Sequence, residues 1–149
     1  MKKIVVLLIL TQIFVSCFSF PKNPEKQAKD ILLWDKNMSK EQCAGVFIMK
    51  GLTITNYNGT TVNWGKNTMV YLPPGQATFF INADYDYGNI HYSGRNMPFQ
   101  WTFNTGENRY LLGWARNGEP VILVIDPNDK TKWTAQDAYE IPKGRTVLQ

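Results

Sequence analysis

The sequence predicts an all-β fold, a single antiparallel β-sandwich of about seven to nine short strands, on three observations. Tyr71-Leu-Pro-Pro-Gly-Gln-Ala-Thr-Phe-Phe-Ile-Asn82 reads as strand, tight turn, strand. Pro74 presets φ at a turn's second position, and Gly75 accepts the positive φ that a type II turn needs at its third. Asn58-Gly59 and Asn117-Gly118 are two-residue hairpin signals, because both residue types tolerate positive φ. Phe99, Trp101 and Phe103 alternate with Gln100, Thr102 and Asn104, the period of a strand with one face in a core. No strand–helix–strand pattern interrupts this spacing, so a parallel α/β sheet is excluded.

The elements follow in order. Met1-Lys-Lys and the apolar run Ile4 to Val15 have the charged and hydrophobic regions of a bacterial export signal. That run is shorter than the roughly 20 apolar residues that span a bilayer, which argues against a permanent transmembrane helix. The following stretch, Phe20 to Lys29, is polar, holds two prolines and shows no periodicity; it reads as a flexible tether over 17–30. Ile31-Leu-Leu-Trp-Asp35 is the first strand, and Ser39-Lys-Glu-Gln42 is either one capped helical turn or a simple turn. Ala44 to Met49 and Leu52 to Tyr57 are the next strands, Thr60 to Trp64 returns from Asn58-Gly59, and Gly65-Lys-Asn67 breaks the chain before Thr68 to Leu72.

Asp84 to Met97 is rich in Tyr and turn formers and reads as a loop or irregular edge. Strand character resumes at Pro98, turns at Thr105-Gly106, and continues through Arg109 to Arg116. Val121 to Ile125 is apolar on both faces, as in a central strand, and Asp126-Pro127 suits a type I turn. The sandwich so defined covers 31–128. A C-terminal extension over 129–149 packs on it or trails from it, with a short helix capped by Thr134 as one reading of Trp133 to Tyr139.

At 149 residues and 44% hydrophobic content, the chain is long enough for one packed core. Its formal charge of +4 includes Lys2 and Lys3 of the export signal, and without them it is +2. Lys and Arg form no local run, which excludes the basic stripe of a nucleic-acid binder.

Phe14-Val-Ser-Cys17 resembles the lipobox of bacterial lipoproteins, whose cysteine becomes the acylated first residue. Phe14 stands where Leu is usual and Val15 where a smaller residue is usual. The resemblance implies a signal peptide over 1–16, lipidation at Cys17 and attachment to the membrane. The competing reading is ordinary cleavage after Ser19. Either way Cys43 has no disulfide partner, and it reads as a small buried apolar residue.

Chemistry-bearing residues are few. His91 is the single histidine; as a catalytic base it would need Asp84 or Asp86 beside it and a nucleophile such as Ser93. The plainer reading is a polar loop histidine. Asp84 and Asp86 share a face if extended and could offer oxygens to a hard cation, or act as glycosidase carboxylates across a cleft. Solvated carboxylates are the plainer reading here too, and no catalytic residue, metal or cofactor is assigned. Tyr85, Tyr87, His91, Tyr92 and Arg95 form the candidate partner- or ligand-binding loop, since Tyr offers contact area at small entropic cost.

Leu52 to Tyr57, Asn58-Gly59, Thr61-Val-Asn-Trp64, Pro73-Pro-Gly75, Ala77 to Ala83 and Gly106-Glu-Asn-Arg-Tyr110 together resemble small bacterial lipoproteins and secreted β-sandwich modules. A fainter similarity is to PEGA-type domains, although their repeated small-residue signature is missing. The resemblance implies an Ig-like or transthyretin-like sandwich and transfers no functional residue. The resulting expectation is a non-enzymatic lipoprotein of the bacterial envelope, periplasmic or surface-facing, that binds an envelope or host protein or supports an assembly. The alternative is a secreted carbohydrate-binding or carbohydrate-active sandwich, with a glycan as partner.

Overall fold

A computed structural model describes residues 21–87, 89–116, 119–128 and 133–136. After a short helix, α1 (Pro24–Gln27), ten strands follow: β1 (Asp30–Leu33), β2 (Ala44–Ile48), β3 (Leu52–Tyr57), β4 (Thr60–Trp64), β5 (Thr68–Leu72), β6 (Gly75–Tyr87), β7 (Ile90–Phe103), β8 (Asn108–Arg116), β9 (Glu119–Ile125) and β10 (Trp133–Gln136). They form a six-stranded sheet in the order β1-β5-β2-β8-β9-β10 and a four-stranded sheet in the order β4-β3-β6-β7. The all-β sandwich is therefore present. Its pairings are antiparallel except β1 with β5 and β2 with β8, which are parallel.

Strand alternation builds the core between the sheets. From the six-stranded sheet come Ala44, Val46, Ile48, Val70, Leu72, Leu111, Ile122 and Val124; from the four-stranded sheet come Leu52, Ile54, Phe79, Ile81, Phe99 and Phe103. Phe99 and Phe103 are fully buried as their alternation predicts, and Trp101 lies parallel to Phe99 with ring centroids 6.4 Å apart. Trp34, just past β1, closes one side of the sandwich edge-on to Tyr57 and Trp64, at 4.9 and 5.5 Å.

The opposite residues of the six-stranded sheet, among them Phe47, Met69, Tyr71, Tyr110, Leu112, Leu123 and Ile125, form a second buried cluster on its outer side. This explains why Val121 to Ile125 is apolar on both faces although β9 is next to an edge strand. Ala28, Leu33 and Met38 pack on that outer cluster. Pro21 is buried, and its carbonyl accepts a 2.6 Å hydrogen bond from the Tyr110 hydroxyl. From Pro21 onward the expected tether is thus part of the folded domain. Asn23 caps α1 through Lys26 N–H, and Lys29 N–H donates to the Asn67 carbonyl at 2.7 Å.

The turns divide into those that local chemistry settles and those it does not. Asn58 and Gly59 have φ of 47° and 84° and join β3 to β4, as a type I′ hairpin requires. Asp126 Oδ1 accepts from Asn128 N–H at 2.9 Å in the expected turn. Ser39 starts a single 3-10 turn over Lys40–Gln42, with Gln42 Oε1 accepting from Ser39 N–H. Pro73-Pro74 does not make the expected hairpin: β5 and β6 lie in different sheets, so this stretch carries the chain across the sandwich. Gly75 takes a φ of 120°, which serves that crossing.

The expected loop over 84–97 is instead paired. β6 and β7 form a long hairpin arm whose register runs from Gly75↔Phe103 to Tyr87↔Ile90, with a shift between Ile81 and Ala83. Asn96, at φ 51°, donates its N–H to Asn82 Oδ1 there. Trp133–Gln136 is an edge strand on β9 rather than a short helix, because its backbone completes the ladder of Ile122 to Ile125. The Asn117-Gly118 signal lies outside the described residues, although Arg116 and Glu119 pair on either side of it.

Candidate functional site

The distal half of the β6–β7 arm carries most of the residues singled out in the sequence, and strand alternation sorts them onto two faces. Tyr85 and Tyr92 are directly paired and point inward, their rings stacked at 5.7 Å with 22° between planes. The Tyr85 ring seats on Gly113 of β8, where a Cβ would lie 2.7 Å from Cε1 and 3.2 Å from Leu52 Cδ2. Its hydroxyl donates to the Trp114 carbonyl. Burial pushes the Tyr85 hydroxyl well above the ordinary tyrosine range, with the neighbouring Tyr92 adding to the effect and a backbone hydrogen bond opposing it. Tyr92 is 8% exposed. The Tyr92 ring is therefore buried in packing, and the Tyr85 ring is half-buried against the six-stranded sheet.

Asp84, Asp86, His91 and Ser93 share the outer face, with Asp86 opposite His91 and Asp84 opposite Ser93. His91 Nδ1 lies 2.9 Å from Asp86 Oδ1, and Nε2 lies 3.5 Å from Asp84 Oδ1. The expected histidine–carboxylate contact exists, but the three side chains are 58–78% exposed. Nothing there excludes water or preorganises charge around a reacting group, which acid–base and nucleophilic catalysis require. The carboxylates reach opposite nitrogens of one ring, so they do not converge on a common point. Among the described residues no group of three or more His, Cys, Asp or Glu is arranged to hold a metal ion. Arg95 is exposed on the same strand, and the Tyr87 side chain lies outside the described residues.

Beside this face is a cleft of about 270 Å³ between the arm and the six-stranded sheet. Tyr85, Leu112, Gly113, Trp114 and Met49 line it, with Lys50 and Asp86 contributing charge. An apolar cleft with a few charged groups is the ordinary composition of a binding site, at the lower end of ligand-sized volumes. Asp86 links it to the His91 pair, and Lys50 brings an opposite charge. Sequence reasoning missed Met49, Lys50, Leu112, Gly113 and Trp114, which reach the cleft from β8 and the β2–β3 connection.

A wider, more polar crevice of about 590 Å³ separates α1 and the 3-10 turn from the outer side of the six-stranded sheet. Two of its charges, Glu25 and Lys40, pair with each other. Tyr71 donates to Glu25, Lys40 Nζ lies 3.0 Å from the same carboxylate, and Lys40 stands 5.0 Å over the Tyr71 ring. The Tyr71 hydrogen bond, then Lys40, hold the Glu25 carboxyl below the usual range. Burial, then the Glu25 hydrogen bond, raises Tyr71. Cys43 lines this crevice but is 1% exposed, and burial followed by Asp35 and Glu41 pushes its thiol up. A thiol so placed is inert, since the thiolate is the nucleophile.

The fold is an all-β sandwich with a small apolar cleft beneath its hairpin arm. No protein-family model matches the chain, and no curated protein matches it in sequence.

Proposed function

We propose that this chain is a non-enzymatic lipoprotein of the bacterial envelope, exported by residues 1–16, acylated at Cys17, and acting as a binding module for an envelope or host protein. The observation that carries the binding part is the cleft beneath the hairpin arm, where Tyr85, Leu112, Trp114 and Met49 offer apolar surface between Lys50 and Asp86. Its volume suits a single apolar or aromatic side chain of a partner. Lys50 and Asp86 offer charges of both signs to the flanking polar groups.

Exposure of the His91 group and burial of Cys43 support the non-enzymatic reading. A glycan partner is less well supported. Sugar recognition calls for a row of open rings, whereas of the two large exposed apolar rings among the described residues, Trp34 and Phe80, Trp34 is packed edge-on against Tyr57 and Trp64. No helix among the described residues is long and apolar enough to cross a membrane; in this reading the acyl chains at Cys17 supply the attachment.

A photoreactive side chain at Lys50, compared with one at the exposed Asn63 on β4, the edge of the four-stranded sheet opposite β7, tests the binding part in the native host's membranes. A discrete adduct from Lys50 and none from Asn63 is the expected result. Equal labelling from both positions, or none from Lys50, would refute it.

A further inference from the structure

We infer that the sandwich is held directly against the bilayer, with the outer side of its six-stranded sheet toward anionic lipid headgroups, instead of standing off on a tether. This rests on acylation of Cys17. Pro21 is already part of the folded domain, buried and bonded through its carbonyl to the Tyr110 hydroxyl at 2.6 Å. The chain beyond it is fixed as well, by Glu25 with Tyr71 and Lys40 and by Lys29 N–H on the Asn67 carbonyl. Only three residues separate Cys17 from Pro21. Whatever path they take, that connection spans at most about 14 Å, little more than the ~10 Å between two packed sheets.

The attachment point also selects the face. Tyr110 belongs to the outer cluster of the six-stranded sheet, so Pro21 leaves the domain on that side, away from the four-stranded sheet. The charge there is complementary to a membrane. Lys22, Lys26 and Lys29 are exposed; of the two acids in the same segment, Glu25 is already engaged by Tyr71 and Lys40, and the exposed Asp30 offsets one lysine, which leaves an excess of positive charge. Basic residues beside an anchor are attracted to anionic headgroups and cooperate with the acyl chains.

The test uses the full acylated chain in vesicles of phosphatidylcholine and phosphatidylglycerol that carry a paramagnetic headgroup lipid. A fluorophore is placed at Gln27→Cys or at Asn63→Cys, each in a Cys43→Ala background. Intact mass of the same samples first establishes the lipid at Cys17, so loss of the anchor reading is seen separately. Quenching several-fold stronger at position 27 than at 63 is expected. A Gly/Ser insertion of about 20 residues before Pro21, reaching about 25 Å, should abolish that difference. Equal quenching at both positions in the acylated, uninserted protein would overturn the inference, as would a difference that survives the insertion.

Discussion

Gly113→Ala is the substitution with the most to say about how the hairpin arm is held. An added Cβ would lie 2.7 and 2.8 Å from Tyr85 Cε1 and Cδ1 and 3.2 Å from Leu52 Cδ2, and real Cβ contacts do not approach a rigid ring so closely. The ring has little room to retreat, because Tyr92 stacks on it at 5.7 Å and its hydroxyl is tied to the Trp114 carbonyl. Overpacking of this kind costs about 1–3 kcal/mol. If the ring moves, the hydroxyl bond is lost as well, at about 1 kcal/mol net. The expected destabilisation is therefore about 2–4 kcal/mol in a urea titration of the soluble Cys17→Ala chain. Tyr85→Phe alone should cost only the hydroxyl contribution, about 1 kcal/mol. Tyr85→Leu combined with Gly113→Ala should be strongly non-additive, because the clash disappears with the ring. A Gly113→Ala chain within about 0.5 kcal/mol of the parent would refute the packing account.

Other consequences are simpler to state. Gly59→Ala meets no neighbouring atoms but must hold φ 84°, so it should destabilise by about 1–2 kcal/mol from backbone strain alone, read by the same titration. Cys43 should react with a thiol reagent only at the rate of unfolding, and a fast fraction in native buffer would contradict its burial. Glu25 has a folded pKa below its ordinary 4.5, so its contribution is complete above that value and is lost as pH falls through the folded pKa. Docking of Pro24–Gln27, followed by the Ala28 amide resonance, should weaken in acid, and Glu25→Gln should flatten that dependence. Tyr57, Tyr71, Tyr85 and Tyr110 all have hydroxyls raised above 10.0, chiefly by burial. Their contribution is present below pH 10 and is lost as alkali ionises them in the unfolded chain, so tyrosinate absorbance from these four should rise with unfolding.

What the sequence could and could not disclose follows the range of the forces involved. Asn58-Gly59 and the Phe99–Phe103 alternation depend on φ preferences and strand period within a few residues, and both appear as expected. Pro73-Pro74-Gly75 was legible as a break but not as a change of sheet, because the sheet that β6 joins is decided by its pairing with β3 and β7. The Tyr-rich stretch has the composition of a loop. It is a strand pair in which Tyr85 finds a notch at Gly113, distant in the chain, and Tyr92 stacks on Tyr85. Trp133–Gln136 was open to a helical reading through Thr134, and the exposed ladder of β9 decides otherwise. At the site, His91 and Asp86 meet across adjacent strands, so their contact was visible in the local spacing. Lys50, Leu112 and Trp114 come to the cleft through tertiary packing and carry no local signal.

The proposed attachment of the β-sandwich to the envelope through lipid at Cys17 is best tested by intact-mass analysis of protein extracted from the native host's membranes. A mature chain that begins at an acylated Cys17, with release of Cys17→Ala into the soluble fraction, is expected. A mature chain that begins near Phe20 without lipid mass would contradict it and leave a freely secreted sandwich.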